Sequence, residues 1–263
     1  MKCHECSVPT RSLSPVELER FQREGLLTGF QLYSSERAGA IRSALQDVLS
    51  LPSTAPSHQK FPPGERLVFD RHLDRPLVYE LCTLPQVIRP ITQILGEDVM
   101  VFRSQFFDKP PDALEIPWHQ ESYFWEVGRG WVTMWLAVDD ATPENGAIKV
   151  IPGSHTQTRE HLPLAPNSHY WSTFTRAAIP RDSDRIVDCS MPAGHFMLFD
   201  DVLHNSPSNS SPRPRLSFAA RYARPEFARN LTDFGCVMVS GHNRDSGLHF
   251  FPPPDSGPGL AAV

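Results

Sequence analysis

The hydrophobic positions change their period part-way along the chain. Before residue 99 they recur every three or four residues, as Ile41, Leu45 and Val48 do, which predicts amphipathic helices. After residue 99, short apolar runs alternate with turns rich in Pro, Gly, Asn and Ser, which is typical of strands. Helices followed by a succession of strands predict an α+β fold with an antiparallel sandwich or barrel as its core.

The helical part carries start and stop signals. Ser14 and Pro15 suit the N-cap and the first position of a helix, and a second helix is expected to begin at residues 34–35. Two short helices should follow, separated at Pro85 and ended by Gly96.

Composition excludes some classes of function. The net charge of −5 offers no broad basic surface for nucleic acid. No apolar run approaches the roughly 18 residues of a membrane span, so no membrane partner and a cytoplasmic location are expected. The CHEC stretch at residues 3–6 resembles half of a zinc site, but no second pair of ligands follows it closely. A loose N-terminal tail is therefore the better interpretation.

The stretch IPWHQESYFW, residues 116–125, places His119 and Glu121 one residue apart. On a strand, such a pair shares one face. A buried carboxylate beside an imidazole is costly unless something cationic compensates it. Unless the pair simply lies on a polar surface, it predicts two ligands of a metal ion and a third ligand on a later strand.

Two histidines compete for the third position. His204, at the end of an expected strand over 196–203, is preferred to His195 at its start. Two imidazoles and one carboxylate form the facial triad of non-haem Fe(II) oxygenases, which commonly use a 2-oxo acid. The distant carboxylate of that acid suits the planar fork of an arginine. Arg215 opens the next strand and would return beside His204 in a hairpin, whereas its rival Arg213 lies inside the turn.

Further residues are candidates for binding rather than catalysis. Arg103 and Gln105 share a strand face, and Arg103 is either paired at the surface or turned toward a substrate or co-substrate carboxylate. The aromatic residues around the metal pair either fill core or form a substrate wall. Candidate substrate contacts in this stretch are Trp118, Gln120, Phe124 and Trp125.

Three segments together resemble the phytanoyl-CoA dioxygenase family: PWHQES, WLAVDDATPENGAIKVIPGSH and GHFMLFDDVLHNSPSNSSPRPRLSFAARYA. Members of this family are Fe(II)/2-oxoglutarate oxygenases on a double-stranded β-helix, or jelly roll. The resemblance covers roughly residues 99–224. It implies one domain with a tail at 1–13, a mainly helical region at 14–98, the jelly-roll core at 99–250 and a tail at 251–263.

The resemblance also implies the roles of individual residues. His119, Glu121 and His204 would hold Fe(II), while Arg215 would bind the far carboxylate of 2-oxoglutarate. Two further residues of the co-substrate site would be Ser206, at that carboxylate, and Trp135, in the pocket wall. The family usually has Asp where this chain has Glu121, and the retained carboxylate favours oxygenation with O2 over halogenation.

The expected substrate is a small metabolite, free or carrier-bound, such as an amino acid or a natural-product intermediate. The CoA ester of the family's namesake is disfavoured because no cluster of basic residues is evident for its phosphates. Two alternatives stay open: a non-catalytic jelly-roll binding protein, and a zinc hydrolase that uses the same His, Glu and His ligands. The sequence does not indicate an oligomeric state.

Overall fold

The computed structural model describes residues 8–54, 68–125, 130–165, 175–231, 234–245, 247–255 and 257–263. The CHEC stretch and most of the predicted loop at 52–66 lie outside these ranges. The α-helices are α1 (Pro15–Glu24), α2 (Ser35–Ser50), α3 (Pro76–Thr83), α4 (Pro85–Leu95) and α5 (Glu121–Trp125). Short 3-10 helices span Arg71–Leu73, Pro143–Asn145, Ser154–Thr156, Pro225–Asn230 and Leu260–Ala262.

The strands are β1 (Leu26–Gln31), β2 (Val68–Phe69), β3 (Val99–Lys109), β4 (Ile116–His119), β5 (Trp131–Ala137), β6 (Lys149–Ile151), β7 (His161–Pro163), β8 (Arg176–Ala178), β9 (Val187–Asp188), β10 (His195–Phe199), β11 (Leu203–Ser206), β12 (Arg215–Ala223) and β13 (Val237–Ser240). The main sheet has the order β1-β10-β5-β12-β3-β13, with β2 also paired to β3. The second sheet has the order β4-β11-β6-β9, and β7 pairs with β8.

The first helix begins where the sequence predicts it. The Ser14 hydroxyl accepts from the backbone N–H of Glu17, and the Glu17 carboxylate accepts from the backbone N–H of Ser14 at 2.9 Å. This reciprocal capping box satisfies two donors that the helix itself leaves without partners. Gly25, at φ 68°, ends the helix in the left-handed conformation that glycine adopts without strain.

The helices cover one face of the main sheet, and the second sheet covers the other. Residues of α1 to α4 form one buried cluster with outward-facing residues of β3, β5, β10 and β12, among them Phe106 and Phe218. Between the two sheets lies a second cluster that includes Trp135, Phe199 and Val150. This arrangement confirms the predicted jelly-roll core with N-terminal helices packed on one sheet.

The predicted continuous strand over 196–203 is wrong. β10 ends at Phe199 in the main sheet, and β11 begins at Leu203 in the second sheet. The chain crosses between the sheets at residues 200–202, where the backbone N–H of Val202 donates to the Asp200 carbonyl at 2.6 Å within a tight turn. His204 and Arg215 consequently lie in different sheets that face each other, and they are not neighbours in a hairpin.

Among the helices within the described ranges, none is both long enough and apolar enough to cross a membrane.

Candidate metal and co-substrate site

The three predicted metal ligands meet between the two sheets. One ring nitrogen each of His119 and His204 and one carboxylate oxygen of Glu121 lie within 4.8 Å of one another. All three side chains are buried. His119 on β4 lies directly opposite His204 on β11, and their ring centroids are 4.2 Å apart. In the part of the chain that the structure describes, no other group of three or more His, Cys, Asp or Glu side chains has this spacing.

Glu121 reaches the site differently from the prediction. β4 ends at His119 and Glu121 is the first residue of α5, so the two ligands do not share the face of one strand. Asp201 holds the start of α5, since its carboxylate accepts from the backbone N–H of Ser122 at 3.0 Å and from the Ser122 hydroxyl. A carboxylate suits the beginning of a helix because the first N–H groups have no partner within it.

Both histidines present the nitrogen that a metal requires. The Nδ1 atom of His119 lies 2.7 Å from the Pro117 carbonyl oxygen, and that of His204 lies 2.9 Å from the Val202 carbonyl oxygen. A proton on Nδ1 that is donated to a carbonyl leaves Nε2 as the lone-pair donor. Burial lowers the pKa of both imidazoles, so both are neutral near pH 7. Two neutral imidazoles and one carboxylate fit ferrous iron.

Arg221 on β12 binds the third ligand. Its Nε donates to Oε2 of Glu121 at 2.7 Å, and its Nη2 donates to Oε1 at 2.5 Å. Sequence reasoning missed this residue. The signal that could have found it is alternation, because Arg221 lies six residues beyond Arg215 on one strand and therefore faces the same side.

The inner face of the main sheet carries its polar side chains in register on β5, β12 and β3. The paired residues form four rows across these strands. The first row is Lys109 and Arg215, and the second is Phe107, Ser217 and Ala137. The third row is Gln105, Ala219 and Trp135, and the fourth is Arg103, Arg221 and Thr133. The first and the last of these four rows are six residues apart along β12. At about 3.3 Å per residue, that is a separation of about 20 Å.

Arg215 lies at one end of this face, and its positive charge suits the binding of an anion. Nη1 of Arg215 donates to the Gly146 carbonyl at 3.0 Å, and the Ser206 hydroxyl donates to the same oxygen at 2.7 Å. The guanidinium carbon of Arg215 lies 5.5 Å from the centre of the Trp135 ring. The structure thus brings together Arg215 and Ser206, predicted at the far carboxylate of 2-oxoglutarate, and Trp135, predicted in the wall of its pocket. Arg213, the rival, is exposed in the turn.

Lys109 is a second cation at this end, and sequence reasoning did not single it out. Its Nζ lies 3.3 Å from the Ser206 hydroxyl and also donates to the carbonyl oxygens of Ser206 and Pro207. Burial, with a smaller effect of the Arg215 charge, lowers the pKa of Lys109 to about 7. Ser217, in the next row, has a buried hydroxyl without a hydrogen-bond partner in the described residues. These groups suit one carboxylate, the far end of 2-oxoglutarate.

Gly146 sits between the two cations and the Ser206 strand. Its φ of 81° lies in the left-handed region, and a Cβ atom at this position would collide with the Pro207 carbonyl oxygen and approach Nζ of Lys109 to 3.1 Å. Glycine is therefore required for the turn to place its carbonyl beside Arg215.

Arg103 and Gln105, predicted as co-substrate contacts, lie away from Arg215. Arg103 is in the last row beside Arg221, and Gln105 is in the middle of the inner face. Both are buried. Because strand alternation fixes only the face and not the position along it, the sequence could not separate a co-substrate role from a substrate role for Arg103.

The predicted substrate contacts at Trp118 and Gln120 are corrected by the structure. Trp118 points away from His119 and packs against Ile151 and Leu203 on the outer side of the second sheet. The Gln120 amide nitrogen donates to the Asp201 carbonyl oxygen at 2.9 Å, and its amide oxygen accepts from the Arg159 backbone N–H at 2.8 Å, so it braces the loops. The side chains of Phe124 and Trp125 lie outside the part of the chain that the structure describes.

Neither His195 nor His155 takes part in the ligand group. His195 begins β10 beside Gln31 and is half-buried there. Nε2 of His155 lies 3.1 Å from the Gln22 carbonyl oxygen and so connects its turn to α1.

Comparison with known proteins agrees with this geometry. The sequence model of the phytanoyl-CoA dioxygenase (PhyH) family matches residues 21–217, about three quarters of the chain. The chain belongs to the phytanoyl-CoA dioxygenase family. Membership confirms the resemblance seen in the sequence and the predicted class, a dioxygenase that depends on iron and 2-oxoglutarate.

Named relatives support the assignment, and a solved structure has the same fold. An ectoine dioxygenase of Bordetella bronchiseptica is 26% identical over 245 residues, which is 85% of this chain and 80% of the relative. An L-proline trans-4-hydroxylase of Streptomyces griseoviridis is 30% identical over 55% of this chain and 62% of its own length. The structure of CytC3 with Fe(II) and alpha-ketoglutarate superimposes with a TM-score of 0.69 at 20% identity, covering 94% of this chain and 99% of CytC3. This last likeness concerns the fold.

We expect the chain to bind one Fe(II), and His119→Ala or His204→Ala to weaken that binding by at least about a hundredfold, because partners outside the ligand shell alone are worth about that much. Equilibrium dialysis under anaerobic conditions measures the affinity. His195→Ala is the matched control and should bind iron as the parent does. Parental affinity in either ligand variant would remove that histidine from the metal site.

Proposed function

We propose that this dioxygenase hydroxylates a small metabolite, with release of succinate and CO2. The observation that carries the proposal is the buried His119–Glu121–His204 group, which meets the inner face of the main sheet at Arg221, while Arg215 and Lys109 lie at the other end of that face. The retained carboxylate at Glu121 supports oxygenation, since it occupies the position that halogenating relatives vacate for chloride.

The proposed metal ligands and the proposed co-substrate anchor lie on opposite sides of the site. His119, Glu121 and His204 would hold iron, which when bound supplies the activation of O2 and the oxidative decarboxylation of 2-oxoglutarate. Arg215 binds the far carboxylate of 2-oxoglutarate as a planar fork, with Lys109 as a second cation beside it. The co-substrate site also contains three uncharged residues: Ser206, Ser217 and Trp135. This arrangement fixes the co-substrate in one orientation and keeps its metal-binding end toward the histidines.

The names of the relatives support a small-molecule substrate. They include ectoine dioxygenase, L-proline trans-4-hydroxylase and a probable alpha-ketoglutarate-dependent hypophosphite dioxygenase of Stutzerimonas stutzeri. A free or carrier-bound small molecule fits the enclosed inner face of the main sheet, where the functional side chains are buried. The cytoplasmic location expected from the sequence stays a prediction.

Neither alternative gains support from the described residues. A zinc hydrolase would use the same three ligands but has no need of the paired cations Arg215 and Lys109 at the other end of the inner face. A non-catalytic binding protein is expected to have lost a ligand or Arg215, and the described chain keeps all four residues.

The direct test is a screen of metabolites for stimulation of succinate release with Fe(II), 2-oxoglutarate and O2. We expect at least one small molecule to stimulate release and to gain one oxygen atom by mass spectrometry, because hydroxylation would consume 2-oxoglutarate together with the substrate. His204→Ala is the control and should release no succinate. Succinate release by His204→Ala at the parental rate would contradict the proposal.

Arg215→Gln should weaken 2-oxoglutarate binding by at least about thirtyfold, the equivalent of roughly 2 kcal/mol for a charge left without its buried partner. Isothermal titration of the Fe(II)-loaded protein under anaerobic conditions measures this. Iron affinity should be retained, since Arg215 lies in the other sheet from the histidines. Arg213→Gln is the matched control, and a larger loss in that variant than in Arg215→Gln would move the anchor to Arg213.

Binding of 2-oxoglutarate should weaken as the pH rises through about 7, the pKa of Lys109. Below that pH Lys109 already carries its proton; above it, the dianion must draw a proton onto the amine, because a nearby negative charge raises the pKa of a lysine. Titrations in buffers of different ionisation enthalpy measure the proton uptake, which should approach one at pH 8. Lys109→Gln should abolish the uptake and Lys149→Gln should keep it. If the parent protein takes up no proton when it binds 2-oxoglutarate at pH 8, Lys109 does not have this role.

A further inference from the structure

The peptide between the first two metal ligands is bound by another buried histidine. Gln120 is the single residue between His119, where β4 ends, and Glu121, where α5 begins. Its backbone N–H donates to Nε2 of His161 at 3.2 Å. His161 is the first residue of β7, lies 41 residues further along the chain and is only 1% exposed. A distant element thus contacts the chain at the point where the strand turns into the helix.

The hydrogen bonds of His161 determine which of its ring nitrogens accepts. Nδ1 lies 2.9 Å from the Arg159 carbonyl oxygen. A carbonyl oxygen can only accept, so Nδ1 carries the proton and Nε2 keeps its lone pair. That lone pair is the acceptor that the Gln120 N–H requires. The imidazole is therefore a neutral acceptor directed at the peptide between two ligands.

His161 also contacts the chain on the other side of Glu121. Its ring stacks on the ring of Tyr123 in α5, with the centroids 3.9 Å apart and the planes 14° from parallel. One side chain therefore touches the residue before Glu121 and the second residue after it. The two contacts restrain the backbone of Glu121 in both directions along the chain.

The segment that carries His161 is itself anchored. The backbone N–H of Arg159 donates to the side-chain oxygen of Gln120 at 2.8 Å, and the Arg159 guanidinium binds both carboxylate oxygens of Asp184, one of them at 2.7 Å. On β8, Nε of Arg176 donates to the His161 carbonyl oxygen at 3.1 Å. Because its neighbours are bound on both sides, His161 is a fixed support for the turn at Gln120.

Glu121 needs this support because its backbone leaves the strand that carries His119. The glutamate side chain has several rotatable bonds, so a small rotation of the preceding peptide moves its carboxylate by a larger distance. Arg221 holds the carboxylate end of the side chain. His161 holds the backbone end. A ligand that is fixed at both ends loses less conformational freedom when a metal binds, which strengthens binding.

We propose that His161 is a positioning residue for the metal ligand Glu121. By accepting the Gln120 N–H, it fixes the peptide that joins the two ligands of the pair. The inference concerns the metal ligands alone and does not depend on the substrate or on the reaction proposed above. Partners of this kind, which hold a ligand without touching the metal, are generally worth about tenfold to a hundredfold in metal affinity.

The test is a titration of the metal-free protein with Co(II), whose absorption bands respond to the geometry of its ligands. His161→Phe keeps a ring for Tyr123 but has no acceptor, whereas His161→Gln keeps an acceptor and has no ring. We expect His161→Phe to weaken Co(II) binding by about tenfold to a hundredfold and to shift the bands, because Glu121 is displaced. His161→Gln should recover most of the affinity and the parental bands, because its amide oxygen accepts the Gln120 N–H.

His195→Phe is the matched control, since His195 lies on β10 outside the ligand group, and it should titrate as the parent does. Parental affinity in His161→Phe would overturn the inference, and so would weaker binding with unchanged bands, which indicates lost stability alone. A loss of about tenfold or more in His161→Gln would overturn it even if His161→Phe does not fold. If the parent binds no Co(II), the ligand assignment fails and the inference fails with it.

Discussion

The bond between Glu121 and Arg221 joins the two halves of the site. Glu121 belongs to the layer that carries the metal ligands, and Arg221 belongs to the main sheet, which also carries Arg215 and Lys109. Both side chains are buried, and removal of two charges from water is repaid only when the geometry is good and the remaining donors are satisfied. The two bonds of the bidentate fork supply the good geometry. It fixes the distance between the layers at the point where the chemistry takes place.

This bond also gives a physical reason for glutamate at a position where the family usually has aspartate. Glu121 starts a helix, whereas His119 ends a strand, so its carboxylate approaches the histidines from a different element. The same carboxylate must reach Arg221 on the opposite sheet. The additional methylene of glutamate provides length for both contacts. The site therefore keeps the charge and the ligand atoms of a facial triad within a different local backbone.

The inner face of the main sheet is organised by charge. Two cationic residues lie at each end of this face. Lys109 and Arg215 lie at one end, and Arg103 and Arg221 lie at the other. The residues between them are mostly neutral. A sheet tolerates such rows only where anions compensate them. Glu121 compensates part of one end from within the protein. At the other end, Lys109 and Arg215 lie beside the hydroxyl and carbonyl groups around Gly146.

The sequence by itself determined the periods of the helices and strands, the cap at Ser14 and the residue types of the ligand set. These features depend on neighbours a few residues apart or on chemistry that only certain side chains possess. Sequence alternation also places Arg215 and Arg221 on one face of β12. It cannot say what they face, because pairing between strands is set by contacts between distant segments.

Only the tertiary structure decided how these residues meet. It placed Glu121 on a helix held by Asp201, moved the chain to the other sheet at residues 200–202, and turned Gln120 toward loop carbonyls and Trp118 toward an outer apolar cluster. Each outcome depends on partners at least thirty residues away in sequence. Local spacing fixes which face of an element a side chain occupies, and packing against distant elements fixes whether that face becomes core, brace or active site.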